Sequence, residues 1–316
     1  MKTPRPLPTP LADLPFTFQD AVDAGVSLRR LRHVALTSPS RGIRVPDDGM
    51  LPGPGSSPGP EFVAPYAGIT ACSAASHATA FTFWGFPGFL PGESSLIHLS
   101  RPDTMAIPRR RGVVGHVGQF FDDEIVCVDG LLVTSRSRTW LDNARRMSVD
   151  EITVVADHLI RVPRPVFEAR TKPHCTLEDL AEMLDRHKGT PGIRKARIAL
   201  ERARVGSDSA PETRLRLALE DAGLPEPMLN VPTQLRAAVV RQPDLSYPEQ
   251  KVAVEYDGDA HSSREQIVRD IAREEDFTTG GWVLVRVSKR HMENDGRAAV
   301  SKVRAALRGR GWSPIL

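Results

Sequence analysis

The stretch "PDLSYPEQKVAVEYDGDAH", residues 243–261, alternates apolar and polar positions on either side of a turn and reads as two antiparallel strands. Pro248 favours a turn with Glu249 and Gln250 at its tip, which sets Pro248 opposite Lys251 and, counting back, Asp244 opposite Glu255. Alternation puts Ala253, Glu255 and Asp257 on one face and Val252, Val254 and Tyr256 on the other. Directly opposed residues have Cβ atoms about 5 Å apart, so Asp244, Glu255 and Asp257 are expected to converge. Opposed like charges destabilise a wet sheet surface by up to roughly 1 kcal/mol, and a bound divalent cation reverses that sign. All-oxygen sites suit Mg2+ or Mn2+, which can polarise a phosphoryl oxygen and generate hydroxide near neutral pH. An acidic face is also the ordinary solvated side of a hairpin, and spacing alone leaves both readings open. Lys251 shares the face but lies two alternations from Glu255, roughly 13 Å at strand rise, too far to join the site.

Around the hairpin the periodicity predicts a helix from about 209 to 222 carrying Glu212, strands near 228–235, 239–247 and 251–257, and a helix from 263 to 279. The strand "WVLVRV" (282–287) and a last helix from 296 to 309 follow. With "PD" at 243–244, "VEYDG" at 254–258 and "IVRDIAREEDFTTGGWVLVRV" at 267–287, residues 207–310 resemble the PD-(D/E)XK nuclease core. More narrowly they resemble the Vsr-like group (very-short-patch-repair endonucleases) and the related domain of unknown function 559. Arg269, Asp270, Arg273, Gly281, Trp282 and Arg286 fall where that group's signature falls. The resemblance implies a restriction-endonuclease-like αβββαβ core in which Asp244 and Glu255 hold Mg2+ (or Mn2+), with Glu212 adding a ligand directly or through water. Asp257 stands where the common pattern has lysine, and it cannot supply positive charge. The Vsr-like group also lacks that lysine, and His261 stands near the place of its histidine, as a candidate base or water-positioning group. A surface-loop histidine is an equal reading of His261. Arg269, Arg273 and Arg286 can offer forked donors to DNA phosphates, although acidic neighbours on the same helix can also pair with them.

Residues 16–46, "FTFQDAVDAGVSLRRLRHVALTSPSRGIRVP", give a helix with Ala21 and Val22, a turn at Gly25, a second helix capped by Ser27, and a short basic wing from Ser40 to Pro46. This segment resembles the amino-terminal winged helix of AbiEi-type antitoxins, and "DGLLVTSRSRTWLDNA" at 129–144 resembles a stretch of their following domain. The resemblance implies a DNA reader with Arg29, Arg30 and Arg32 on the recognition helix and Arg41 and Arg44 on the wing, and it raises the possibility of a toxin partner. A small helical cap with solvated arginines is the plainer alternative.

Residues 47–61, mostly Gly, Pro and Ser, read as a linker. Residues 62–203 mix helical patterns at 69–83, 137–146, 149–161, 176–187 and 192–203 with the strand-like "SSLIHLS", "GVVGHVG" and "DGLLVTS", an α+β domain. His77, His98, His116, His158 and His174 show no metal-ligand spacing and read as structural. The expected organisation is a multidomain α+β protein: a winged helix over 1–46, the linker over 47–61, a middle domain over 62–203 and a nuclease-fold domain over 204–316. Its 42 basic and 39 acidic residues leave a net charge of +3 and no basic tail, so any DNA binding comes from placed arginines. Three widely spaced cysteines fit a reducing cytoplasm, and neither a signal peptide nor a membrane-spanning apolar run is legible. Two functions follow as expectations: a metal-dependent DNA endonuclease, or an antitoxin-like transcriptional regulator that binds DNA without cutting it.

Overall fold

Glycine and proline interrupt the apolar runs often, so most elements are short. The computed structural model of the protein describes all residues except 1–4, 48–58, 92–95, 165–167, 259–263 and 315–316, and leaves aside the side chains at 60 and 264–269. The first elements are β1 (Phe16–Thr17), α1 (Phe18–Asp23), α2 (Leu28–Leu31), β2 (Leu36–Thr37), β3 (Ile43–Pro46), α3 (Pro60–Gly68), β4 (Ala74–Ala75) and α4 (His77–Phe83). Next come β5 (Ile97–Pro102), β6 (Val113–Gly118), β7 (Ile125–Val128), β8 (Leu131–Thr134), α5 (Arg136–Asn143), α6 (Val149–Ile160), α7 (Leu177–Arg186) and α8 (Ile193–Arg202). The last are α9 (Ala210–Asp221), β9 (Met228–Leu229), β10 (Thr233–Arg236), β11 (Val239–Arg241), β12 (Leu245–Tyr247), β13 (Val252–Asp257), α10 (Arg264–Thr279), β14 (Val283–Ser288) and α11 (Arg297–Gly309). This is a mixed α and β protein, and among the described residues no helix is long and apolar enough to cross a membrane. By backbone contacts it separates into two compact units, residues 1–148 with 178–197 and residues 149–177 with 198–316.

In the first unit Thr17 and Asp20 cap α1 reciprocally, each side chain accepting from the other's backbone N–H. Gly25 turns the chain at φ +75°, and the Ser27 hydroxyl accepts from Arg30 N–H to start α2, which is a single turn. The β2–β3 hairpin pairs Leu36 with Pro46 and Thr37 with Val45. Ile43 and Val45 pack in one cluster with Val63, Tyr66, Leu99 and Val133, so the amino-terminal segment shares a core with residues predicted to form a separate middle domain. The helix predicted over 69–83 is a turn, a strand and one helix: α3 has already ended at Gly68, Cys72 takes φ +55°, β4 joins the sheet, and α4 starts at His77. α3 begins inside the predicted linker, because proline at a helix's first position loses no bond that the helix would make. The sheet of this unit runs β6-β5-β4-β8-β7, with β5/β6 and β4/β8 parallel and β4/β5 and β7/β8 antiparallel.

The second unit is built on the sheet β14-β13-β12-β9, in which only β13/β14 is parallel. The hairpin adopts the register its turn dictates, Leu245 opposite Val254 and Tyr247 opposite Val252, closed by Lys251 N–H donating to Pro248 O at 3.1 Å. Val252 and Val254 pack with Leu215 and Leu219 of α9 and Val303 and Leu307 of α11, while Ala253 packs on the other face with Phe277 of α10 and Trp282. The two strands predicted at 228–235 and 239–247 are each broken. Asn230 at φ +50° with Pro232 separates β9 from β10, and Pro243 stands between β11 and β12. β10 and β11 form a ribbon of their own. α6, read from sequence as part of the middle domain, belongs to this unit: Asp157 on it accepts from Arg216 Nη2 (2.8 Å) and Thr213 Oγ1 (3.0 Å) of α9, all of them buried.

Candidate functional site

Asp244 precedes β12 and Glu255 lies on β13, one register step beyond the last paired residues, so the pair faces each other across the hairpin. Asp244 Oδ2 accepts from Tyr256 N–H at 2.7 Å, which fixes its carboxyl over the neighbouring strand. Glu255 is buried, and its Oε1 accepts from Arg273 Nε of α10, whose Nη2 donates to Gln242 O at 2.8 Å. Glu212 is buried on the first turn of α9. Its Oε1 accepts from the Ser209 hydroxyl at 2.8 Å, and its Oε2 from Asp208 N–H at 2.9 Å and Asn230 Nδ2 at 2.7 Å. Asn230 N–H donates in turn to Asp244 O at 2.9 Å, so one asparagine ties the helix carboxylate to the backbone of the hairpin.

Burial and then the charge of Glu212 push the Asp244 carboxyl up to about 7, with Glu255 adding to the rise, while the Tyr256 N–H and Arg273 oppose it. Burial also raises Glu255, against the lowering effect of Arg273. Asp244 thus feels the charges of both Glu212 and Glu255. The three are nonetheless not gathered on one point, for among the described residues no three His, Cys, Asp or Glu side chains are arranged to hold a metal ion. Asp257 does not join them: it is exposed, with Oδ1 3.6 Å from Arg286 Nη1, because the parallel register of β13 and β14 brings that arginine alongside. His261 and the side chain of Arg269 lie outside the described residues.

The predicted phosphate contacts divide by what already holds them. Arg29, Arg32 and Arg41 are exposed. Arg30 is half-buried, its Nε donating to Arg5 O at 2.9 Å. Arg44 turns inward, its Nε donating to Leu31 O at 3.1 Å and its Nη1 to the Ser38 hydroxyl at 2.9 Å, so it braces the hairpin against α2. Arg286 Nη2 donates to Asp270 O at 3.2 Å, and Arg273 is committed to Glu255. Sequence reasoning missed that Arg273–Glu255 pair and the role of Asn230. Nothing local announces either one, since Asp270 and Asp276, one turn away on its own helix, offered Arg273 partners.

No family model matches the chain, and no solved structure matches it. It is similar to an uncharacterised protein of Mycobacterium tuberculosis, designated Rv2248 in strain ATCC 25618 / H37Rv and MT2308 in strain CDC 1551 / Oshkosh. The identity is 26% over 202 residues, which cover 63% of this chain and 69% of the relative in each strain.

Proposed function

We propose that the second unit is a Mg2+- or Mn2+-dependent deoxyribonuclease centre of the PD-(D/E)XK, Vsr-like kind, served by a winged-helix DNA reader at residues 16–46. The observation that carries this reading is the hairpin register, which sets Asp244 beside Glu255 with Glu212 tied behind them through Asn230. The donor set fits the ion: Mg2+ is commonly held by one or two carboxylates, with waters and substrate phosphates completing its shell. Asp244 and Glu255 would be its ligands, and Glu212 an outer group that orients them. Such an ion, when bound, lowers the pKa of its water and offsets charge on a phosphoryl oxygen. The protein's own contribution is to keep crowded carboxylates in place despite their repulsion, and to put the guanidinium groups of Arg273 and Arg286 beside Glu255 and Asp257, where a phosphodiester needs positive charge.

The pairing of Arg273 with Glu255 favours a second reading, because a guanidinium neutralises the carboxylate without any ion. In that reading the protein is an antitoxin-like transcriptional regulator that grips DNA and does not cut it. Nicking of supercoiled plasmid separates the two. Activity with Mg2+ or Mn2+ that is lost in Asp244→Asn and Glu255→Gln supports the nuclease. Wild-type protein that stays inert across both metals and across single- and double-stranded DNA, yet retards a duplex fragment in a gel, supports the regulator. For the reader, the double variant Arg29→Ala, Arg30→Ala should weaken DNA binding and flatten its dependence on salt.

A further inference from the structure

The first unit holds a cavity of about 690 Å3, within the size range of small-molecule sites. Its floor comes from three places far apart in sequence. His116 of β6 stacks on His77 at the start of α4, with ring centroids 3.6 Å apart and planes 11° from parallel, and His116 Nε2 lies 3.0 Å from Nδ1 of His98 on β5. Asp142 of α5 is buried beneath them. Its Oδ1 accepts from Arg138 Nε at 2.8 Å, whereas Oδ2 has no hydrogen-bond partner among the described residues and lies 4.0 Å from His77 Nδ1. Arg138 is fixed in turn by Glu124 Oε2 (2.6 Å), Gln119 O (2.7 Å) and the face of Phe120 (4.2 Å), and Glu124 also meets His187 Nε2 at 2.7 Å. A floor braced this way is preorganised.

The rim is cationic. Five of the lining side chains are Arg or Lys and only Asp142 is acidic; Arg138 is paired with Asp142 and Glu124 and Arg186 with Asp123, so the positive character of the rim rests on Arg145 and Lys188. Arg145 and Lys188 are exposed at the opening. The turn carrying Lys188 is pressed against the end of α5 through Gly192, where φ is +97° and a Cβ would collide with the backbone of Ala144 and Arg145. The histidines add no charge to this. Burial first, then one another and the nearby arginines, hold His77 down at about 3 and His98 and His116 at about 4, so near pH 7 all three are neutral with one donor and one acceptor each, and His77 and His116 line the cavity above the buried His98.

We propose that this cavity is a binding site for a small phosphorylated ligand that carries an aromatic ring, of the nucleoside monophosphate class. The rim cations, Arg145 and Lys188 foremost, take the phosphate, and the histidine stack with Phe120 takes the ring. The unpartnered Asp142 oxygen, buried in the lining, offers a fixed polar contact. The site is separate from the carboxylates of the second unit and does not depend on their chemistry.

The test is calorimetric titration and thermal melting of the full chain with AMP, adenosine and inorganic pyrophosphate, in the wild type and in Arg145→Glu, Lys188→Glu. AMP should bind and raise the melting temperature, and adenosine should bind at least about tenfold more weakly. The double variant should lose at least about tenfold in AMP affinity while its own melting temperature holds. If the double variant melts early, Lys188→Glu alone gives the same comparison. Absence of heat and of a melting shift with millimolar AMP would overturn the site, as would unchanged affinity in the variant. Pyrophosphate binding as tightly as AMP would overturn the ring assignment. Displacement of AMP by an equal concentration of a 5′-phosphorylated hexanucleotide would overturn the free-ligand assignment in favour of a strand end.

Discussion

Asp244 carries a cost that its surroundings do not remove. Its carboxyl stands at about 7 against an ordinary value of 3.8, because it is shielded from water and faces the charges of Glu212 and Glu255. Well below pH 3.8 the acid is protonated in both the folded and the unfolded chain and costs nothing. As pH rises toward 7 the unfolded chain releases that proton while the folded one keeps it, so stability falls, and above 7 the full penalty, on the order of 2–4 kcal/mol, is present. Asp244→Asn keeps an acceptor for the Tyr256 N–H and removes the charge. Urea unfolding should therefore find the variant more stable than wild type at pH 8, with the gap closing toward pH 4. If the ion proposed at Asp244 and Glu255 binds there, Mg2+ at pH 8 should stabilise the wild type and leave Asp244→Asn unaffected. A variant no more stable than wild type at pH 8 would mean that the carboxylates do not strain this hairpin.

At the level of elements, legibility followed the range of the interaction. The β12–β13 register could be counted from Pro248 because a two-strand turn is local, and Ser27 and Gly25 punctuate α1 and α2 for the same reason. The region 69–83 misled because its apolar spacing suits a helix throughout, while the sheet claims Ala74 and Ala75 as a strand beside β5 and β8. The breaks at Asn230 and Pro243 are visible in the residues but do not say which segments leave the main sheet. His77, His98 and His116 looked unrelated since only the parallel pairing of β5 with β6 and the turn into α4 bring them together. Arg44 shows the same limit: its position on a basic wing suggested phosphate, and its side chain is spent on Leu31 O and the Ser38 hydroxyl. Arg44→Ala should thus lower stability by about 1 kcal/mol, while Arg29→Ala, at an exposed position, should leave the melting temperature unchanged. Equal melting temperatures for the two variants would put Arg44 back among the candidates for DNA contact.

On the scale of the whole molecule, the units are not consecutive in the chain. The second takes residues 149–177 as well as 198–316, whereas a boundary at 203/204 follows the motifs and severs α6 from α9. What that cut removes is specific. Arg216 and Asp157 are 2% and 1% exposed, and Asp157 also caps the chain by accepting from Arg204 N–H at 2.7 Å. Glu151 of α6 holds Arg214 through two bonds of 2.7 Å. Removing one partner of a buried ion pair costs roughly 3–5 kcal/mol, a large share of the 5–15 kcal/mol that hold a typical domain together. The fragment 204–316 keeps Arg216 without its carboxylate and bares the α9 surface that α6 covers, so it should melt without a cooperative transition. The fragment 149–316 keeps the pair, carrying residues 178–197 as a segment without the first unit they pack in, and residues 149–177 with 198–316 should still melt cooperatively; Asp157→Ala in the full chain should destabilise the second unit by about the same 3–5 kcal/mol. Calorimetry of the two fragments decides the matter: a cooperative transition of equal midpoint in 204–316 would show that α6 is an ornament of the second unit and that the motif boundary is the folding boundary.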